Sequence, residues 1–188
     1  MQNKDEKQGN PLWEFSLKAY GKDQLAQNCL ILQDEYALDV NLILLFVWTG
    51  LSGAKLTDES TETLIRHAKA WCETTIEPLR TIRRTLKNDI GAVTQMMSAD
   101  FREDIKAIEL AAEKIQQDML MNVLVKLTAV NALEGDRKSV ARRNLLTYLQ
   151  IQQIKVDTQI RESFESILTI SEQVFLSLQL AENENEEA

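Results

Sequence analysis

The segment PLRTIRRTLK sets Arg80, Arg83, Arg84 and Lys87 at i, i+3, i+4 and i+7. On a helix these four share one face, about 100° wide, and no acid falls between Pro78 and Lys87. Guanidinium forks match phosphate and carboxylate oxygens, so such a stripe can engage a phosphate, a nucleic-acid backbone or an acidic protein surface. It can equally be a helix flank paired with acids on neighbouring helices. Glu73 and Glu77 precede it on the same face, with Glu77 to Arg80 the closest pairing. A second group worth weighing is Asp39 with Asn41 and the three tryptophans, Trp13, Trp48 and Trp71. Asp39 is explained as a helix N-cap. Asn41 sits in an apolar run, where an unpaired buried amide costs roughly 1–3 kcal/mol. It must therefore tie its helix to a neighbour or help line a polar pocket.

Catalytic arrangements mostly fail on residue inventory. A single histidine, His67, rules out the paired Glu-x-x-His motifs of di-iron bundles. His67 and Cys72 stand five apart, about 140° around a helix, and do not face each other. Six scattered glycines form no phosphate loop. Glu35 with Asp39 and Asp100 with Asp104 have the i, i+4 spacing that binds magnesium diphosphate in helical prenyl-transferring enzymes, yet Asp39 and Asp100 both read as caps. Glu109 and Glu113 read as a surface ladder beside Lys106 and Lys114. No metal set and no cofactor is implied. Cys29 and Cys72 lie 43 positions apart, in no ligand-like spacing, and read as buried small hydrophobes.

The elements that must position these residues follow from punctuation and periodicity. Asn10-Pro11 is a cap followed by proline at the first helical position, and Gly21 closes that helix. A second helix runs from about Lys22 to Tyr36. Asp39 opens a third, DVNLILLFVWTG, apolar almost all round; its run from Val40 to Trp48 covers about 14 Å, too short to cross a bilayer. Such a helix belongs in the middle of a core. A fourth runs from about Asp58 to Lys87 with Leu64, Ala68, Cys72, Thr75, Leu79, Ile82 and Leu86 on one stripe, kinked or split at Pro78. Asp100 opens a fifth with Glu103 completing a capping box, and Phe101, Ile105, Ile108, Ala112, Ile115 and Met119 form its bundle-facing seam. After the turn EGDRKS comes a last helical region with Ile160, Phe164, Ile167, Ser171, Val174 and Leu178 in a four-three repeat. Its apolar face must fold back on the bundle, pair with a second copy or take a partner helix.

The chain therefore reads as all-α, a bundle of about six helices with a long C-terminal helix, and no strand pattern competes. Residues 1–9 read as a disordered tail, 10–155 as the helical domain, 156–180 as a C-terminal extension and 181–188 as an acidic tail. The stretches NPLWEFSLKAY, CLILQDEYALDVNL, AWCETTIEPLRTIRRTLK, IELAAEKIQQ and NLLTYL, in that order, resemble the short bacterial proteins grouped as domain of unknown function 2390. That resemblance implies the fold and, the family being uncharacterised, little about activity.

A net charge of −8 over 188 residues, half of it from Glu182, Glu184, Glu186 and Glu187, opposes generic binding to nucleic acid or anionic membranes. Nucleic acid could engage only the local Arg/Lys stripe. No secretory signal is visible, so the cytoplasm is the expected location. Two functional classes remain. One is a non-enzymatic adaptor or regulator that binds a protein or nucleoprotein partner through Arg80, Arg83, Arg84 and Lys87. The other is a small-molecule or nucleotide-handling enzyme with a pocket around Asp39, Asn41 and the tryptophans. A pocket converging on Asn41 and acidic groups would favour the second, and an unpaired, exposed arginine stripe the first.

Overall fold

A computed structural model describes residues 9–127, 130–131 and 136–186. Most of the expected N-terminal tail, residues 1–8, lies outside them. The described chain is an all-α bundle closed by a long C-terminal helix. Helix α1 spans Pro11–Tyr20. The Asn10 side chain accepts from the amides of Leu12 and Trp13, while its Nδ2 donates to Asp118 at 2.8 Å and so fixes this helix start against a distant part of the chain. Helix α2, Asp23–Tyr36, stops at Ala37, which takes a left-handed φ of 53°.

Helix α3, Val40–Leu51, is the central rod. Asp39 caps it through Oδ1, which accepts from the Asn41 amide at 2.8 Å. Ten of its twelve residues are buried, as an apolar circumference requires. Gly50, in the last turn of the helix, is also a contact. A Cβ there would sit 2.2 Å from Cα of Ala141, so the backbones of α3 and α7 (Arg137–Ile151) touch with nothing between them. The chain then turns at Gly53, whose φ of 88° suits glycine alone.

Strand β1, Ala54–Lys55, pairs antiparallel with β2, Val130–Asn131, a two-residue ribbon that no alternation in the sequence signals. Asn144 of α7 organises it. Its Oδ1 accepts from the Leu56 amide at 3.0 Å, and its Nδ2 donates to the carbonyls of Phe46 and Ala54.

The predicted fourth helix is one run in three parts: α4, Asp58–Trp71; a π turn, Cys72–Ile76; and α5, Glu77–Thr85. Pro78 has no N–H to give, and the chain widens by a residue just before it. That extra residue advances the helix phase by about 100°. The expected stripe is therefore interrupted in its middle: Leu64, Ala68 and Leu86 are buried as predicted, whereas Ile76 replaces Thr75 in the core and Ile82 is left exposed.

Helix α6, Ala99–Leu124, starts at Ser98, with Asp100 in its first turn rather than at the cap. Its buried face also differs from the predicted seam. Ile105, Ala112 and Leu120 are inside, but so are Glu109, Gln116 and Gln117, whereas Phe101, Ile108 and Ile115 are exposed. The helix is rotated because the side chains facing it from α3 and α5 are polar, and hydrogen-bonded pairing outweighs the burial of three apolar residues that remain on the surface.

The last helical region is two helices. α7 ends at Ile151, and Gln153 turns the chain at a φ of 56°. Asp157 then opens α8, Thr158–Glu186, by accepting from the Ile160 amide at 2.8 Å. Ile160, Phe164, Ile167, Leu168, Val174 and Phe175 are buried against the bundle, Phe175 edge-on to Phe15 with ring centroids 6.4 Å apart. The face that could have paired with another copy is thus spent within the chain. Helix continues to Glu186, past the point where the acidic tail was expected, because a helix nucleated by packed turns adds further turns cheaply. Among the described residues no helix is long and apolar enough to cross a membrane.

Candidate ligand-binding cleft

Three of the four basic residues of the predicted stripe are committed to helices outside their own. Arg80 donates through Nε to Glu109 and through Nη2 to Glu113, both at 3.0 Å. Arg83 donates to both Glu109 oxygens. Arg84 reaches the other way, to Asp34 of α2 at 2.6 Å. Lys87 is exposed, and its ammonium meets no acceptor among the described residues. Glu73 and Glu77, the partners offered by sequence, are not used by these arginines. Glu109 and Glu113, which read as a surface ladder, are the acids that hold α5 to α6. Burial raises the Glu113 carboxyl, although the Arg80 charge opposes the shift.

Asn41 is the hub of the layer beneath. Its Nδ2 donates to Oε1 of Gln116 at 2.5 Å, and its Oδ1 accepts from Nε2 of Gln117 at 2.8 Å. Gln116 also donates to Oδ2 of Asp39 at 2.9 Å and to the Ala68 carbonyl at 3.2 Å. The amide thus ties α3 to α6 through side chains. Desolvation raises the Asp39 carboxyl, and the donors from Gln116 and the Asn41 amide hold it back.

The tryptophans do not converge. Trp71 donates its indole N–H to the Ala112 carbonyl at 2.9 Å, and Trp48 packs against the core on α3. Trp13 lines the larger of two clefts, and Trp48 and Trp71 line neither. His67 accompanies neither cleft, its Nδ1 lying 2.8 Å from the Thr63 carbonyl one turn back. Burial pushes the Cys72 thiol up to about 12, so it is not a thiolate nucleophile at neutral pH. Among the described residues no group of three or more His, Cys, Asp or Glu is placed to hold a metal ion.

Two clefts meet at Arg80. The first, of about 290 Å³, is polar and includes Asp34, Asp39, Cys72, Glu77, Thr81 and Arg84 in its lining. The second, of about 390 Å³, lies among α1, α2, α3, α5 and α6. Its walls include Trp13, Leu17, Tyr20, Leu30, Leu44 and Leu110, and the paired Arg80, Arg83, Glu109 and Glu113 line it too. Gln33, Val40, Asn41 and Arg80 border both. They exist because α2 and α5 do not pack on each other; the Arg84–Asp34 pair spans the gap at the rim. Leu17, Tyr20, Leu30 and Leu110 are between 39% and 47% exposed, an unusual concentration of apolar surface around one opening.

Sequence reasoning missed these four residues because they sit on the outer sides of amphipathic helices, Leu17 and Tyr20 together on α1, Leu30 on α2 and Leu110 on α6, and it missed Glu109 because buried and surface acids share the same spacing. One signal was present. Asn41, in the apolar run of α3, requires polar partners, and Gln116 and Gln117 of α6 supply them.

These features describe an all-helical protein with an amphipathic cleft beside a buried polar layer. Residues 11–120, which carry α1 to most of α6 and all of the residues named for both clefts, match the family described as "Protein of unknown function (DUF2390)", and the chain belongs to that family. No curated protein and no solved structure matches it.

Proposed function

We propose that the protein is a non-enzymatic binding module that takes an apolar-bodied ligand in the cleft between α1, α2, α5 and α6. The observation that carries this reading is the gathering of exposed Leu17, Tyr20, Leu30 and Leu110 around a cavity of about 390 Å³ whose arginines are each held by a carboxylate of the chain. A largely apolar recess of this size with a few fixed polar groups is what small-ligand recognition uses. An adaptor surface built from Arg80, Arg83, Arg84 and Lys87 as a free face has less support, because the first three are paired within the chain. The enzyme alternative keeps one supporting feature, the raised carboxyl of Asp39 at the edge of the polar cleft. Both of its oxygens already accept from donors within the chain, which commits the carboxylate to holding α3 against α6.

The test is a fluorescence titration of the full chain with the neutral probe N-phenyl-1-naphthylamine. Saturable binding is expected, and Leu17→Glu with Leu110→Glu should abolish it while leaving the thermal midpoint nearly unchanged, since both side chains already face water. Absence of binding, or binding indifferent to the double variant, contradicts the proposal.

A further inference from the structure

We infer that the ligand of this cleft is an anionic amphiphile, an aliphatic or aromatic carboxylate whose apolar body lies along Leu17, Leu30 and Leu110 and whose head group meets Arg83, Lys106 and Arg80. The inference rests on the binding reading above and adds the ligand's charge. Three cations, Arg80, Arg83 and Lys106, line the cleft against two carboxylates, Glu109 and Glu113. The carboxylates are largely used. Both oxygens of Glu109 accept from guanidinium groups, and Glu113 accepts from Arg80.

The cations are not used up. Arg80 and Arg83 each spend Nε and Nη2 on protein acceptors, and Nη1 of each donates to no acceptor among the described residues. Among the described residues Lys106 is held by an exposed contact with Glu103 at 3.5 Å, which a better acceptor displaces at little cost. The unspent capacity of the cleft is therefore mainly that of a donor with excess positive charge, and a carboxylate supplies the matching acceptor. Nothing comparable favours a cationic amphiphile, since each carboxylate already has at least one guanidinium against it.

The experiment compares three probes of equal chain length, octanoate, octan-1-ol and octylammonium, by calorimetric titration of the full-length protein below their aggregation concentrations. Octanoate is expected to bind roughly tenfold or more tightly than octan-1-ol, with octylammonium weakest, because charge-assisted hydrogen bonds are about twice as strong as neutral ones. Lys106→Glu should weaken octanoate by roughly tenfold and leave octan-1-ol unchanged, as expected of a group that acts on the head alone. Since Lys106 is exposed, this variant is not expected to unfold the chain, and its thermal midpoint provides the check. Equal affinity for octanoate and octan-1-ol, or retention of octanoate by Lys106→Glu, overturns the anionic assignment. If N-phenyl-1-naphthylamine still binds in that case, the cleft stands and only the ligand's charge is wrong. Failure of every probe, the naphthylamine included, removes both.

Discussion

At the scale of single residues, Glu109 has the largest structural role of any charged group described. It is buried, and it is the acid shared by Arg80 and Arg83. A partnered charge in such a place stabilises little compared with an apolar replacement, but removing one partner leaves an uncompensated charge in low dielectric. Glu109→Gln should therefore cost about 3–5 kcal/mol in chemical denaturation. The comparison is Glu103→Gln on the same helix, where the carboxylate is exposed to solvent beside Arg102 and Lys106 and the loss should stay below about 1 kcal/mol. Equal small losses would mean that the arginines of α5 are solvated and free to recruit a partner. The stripe itself was plain in the sequence, since spacing puts its residues on one face. Its partners were not, because nothing local distinguishes a glutamate that will meet an arginine 29 positions away from one that will meet water.

Among the elements, the reading of helices from caps and glycines succeeded where the cause was local and failed where a neighbour decided. Asn10-Pro11 and Asp39 open α1 and α3 as read, each side-chain oxygen taking the amides of the first turn. The phase of α5 and the rotation of α6 could not be read. One depends on a π turn inserted ahead of Pro78, the other on polar residues presented by α3 and α5. Asp157 was a missed signal, a cap before Thr158-Gln159-Ile160 that separates α7 from α8. Gly50 has a second role that no local spacing signals, a packing contact with Ala141. Ala at position 50 would gain up to about 1 kcal/mol in helix propensity, yet its Cβ would lie 2.2 Å and 2.4 Å from backbone atoms of Ala141. Overpacking of this kind costs roughly 1–3 kcal/mol or more, so Gly50→Ala should lower the thermal midpoint. Adding Ala141→Gly should not restore it, because the clash is with Cα and N as well as Cβ. Restoration would show that α3 and α7 have room to separate.

For the whole molecule, the arrangement of rods explains why a cleft exists at all. Helix α3 fills the centre, α8 closes one side over α1 and α2, and α5 is carried on the other side by α6 and the π turn. The gap left between α2 and α5 is bordered by a buried polar layer and closed at its rim by the exposed Arg84–Asp34 pair. The chain also exposes a second apolar surface, Phe101, Ile108 and Ile115 along α6 with Met96 and Met97 ahead of it. The proposed ligand would go to the cleft and not to this stripe. The most direct measurement is a two-dimensional amide NMR titration of the isotopically labelled full-length chain with octanoate. Saturable shifts are expected at the Trp13 indole and at the amides of Leu17, Leu30, Leu110 and Gln117, with the amides of Phe101, Ile108 and Ile115 unmoved. Shifts confined to Phe101, Ile108 and Ile115, with Trp13 and Leu17 silent, would contradict the proposal.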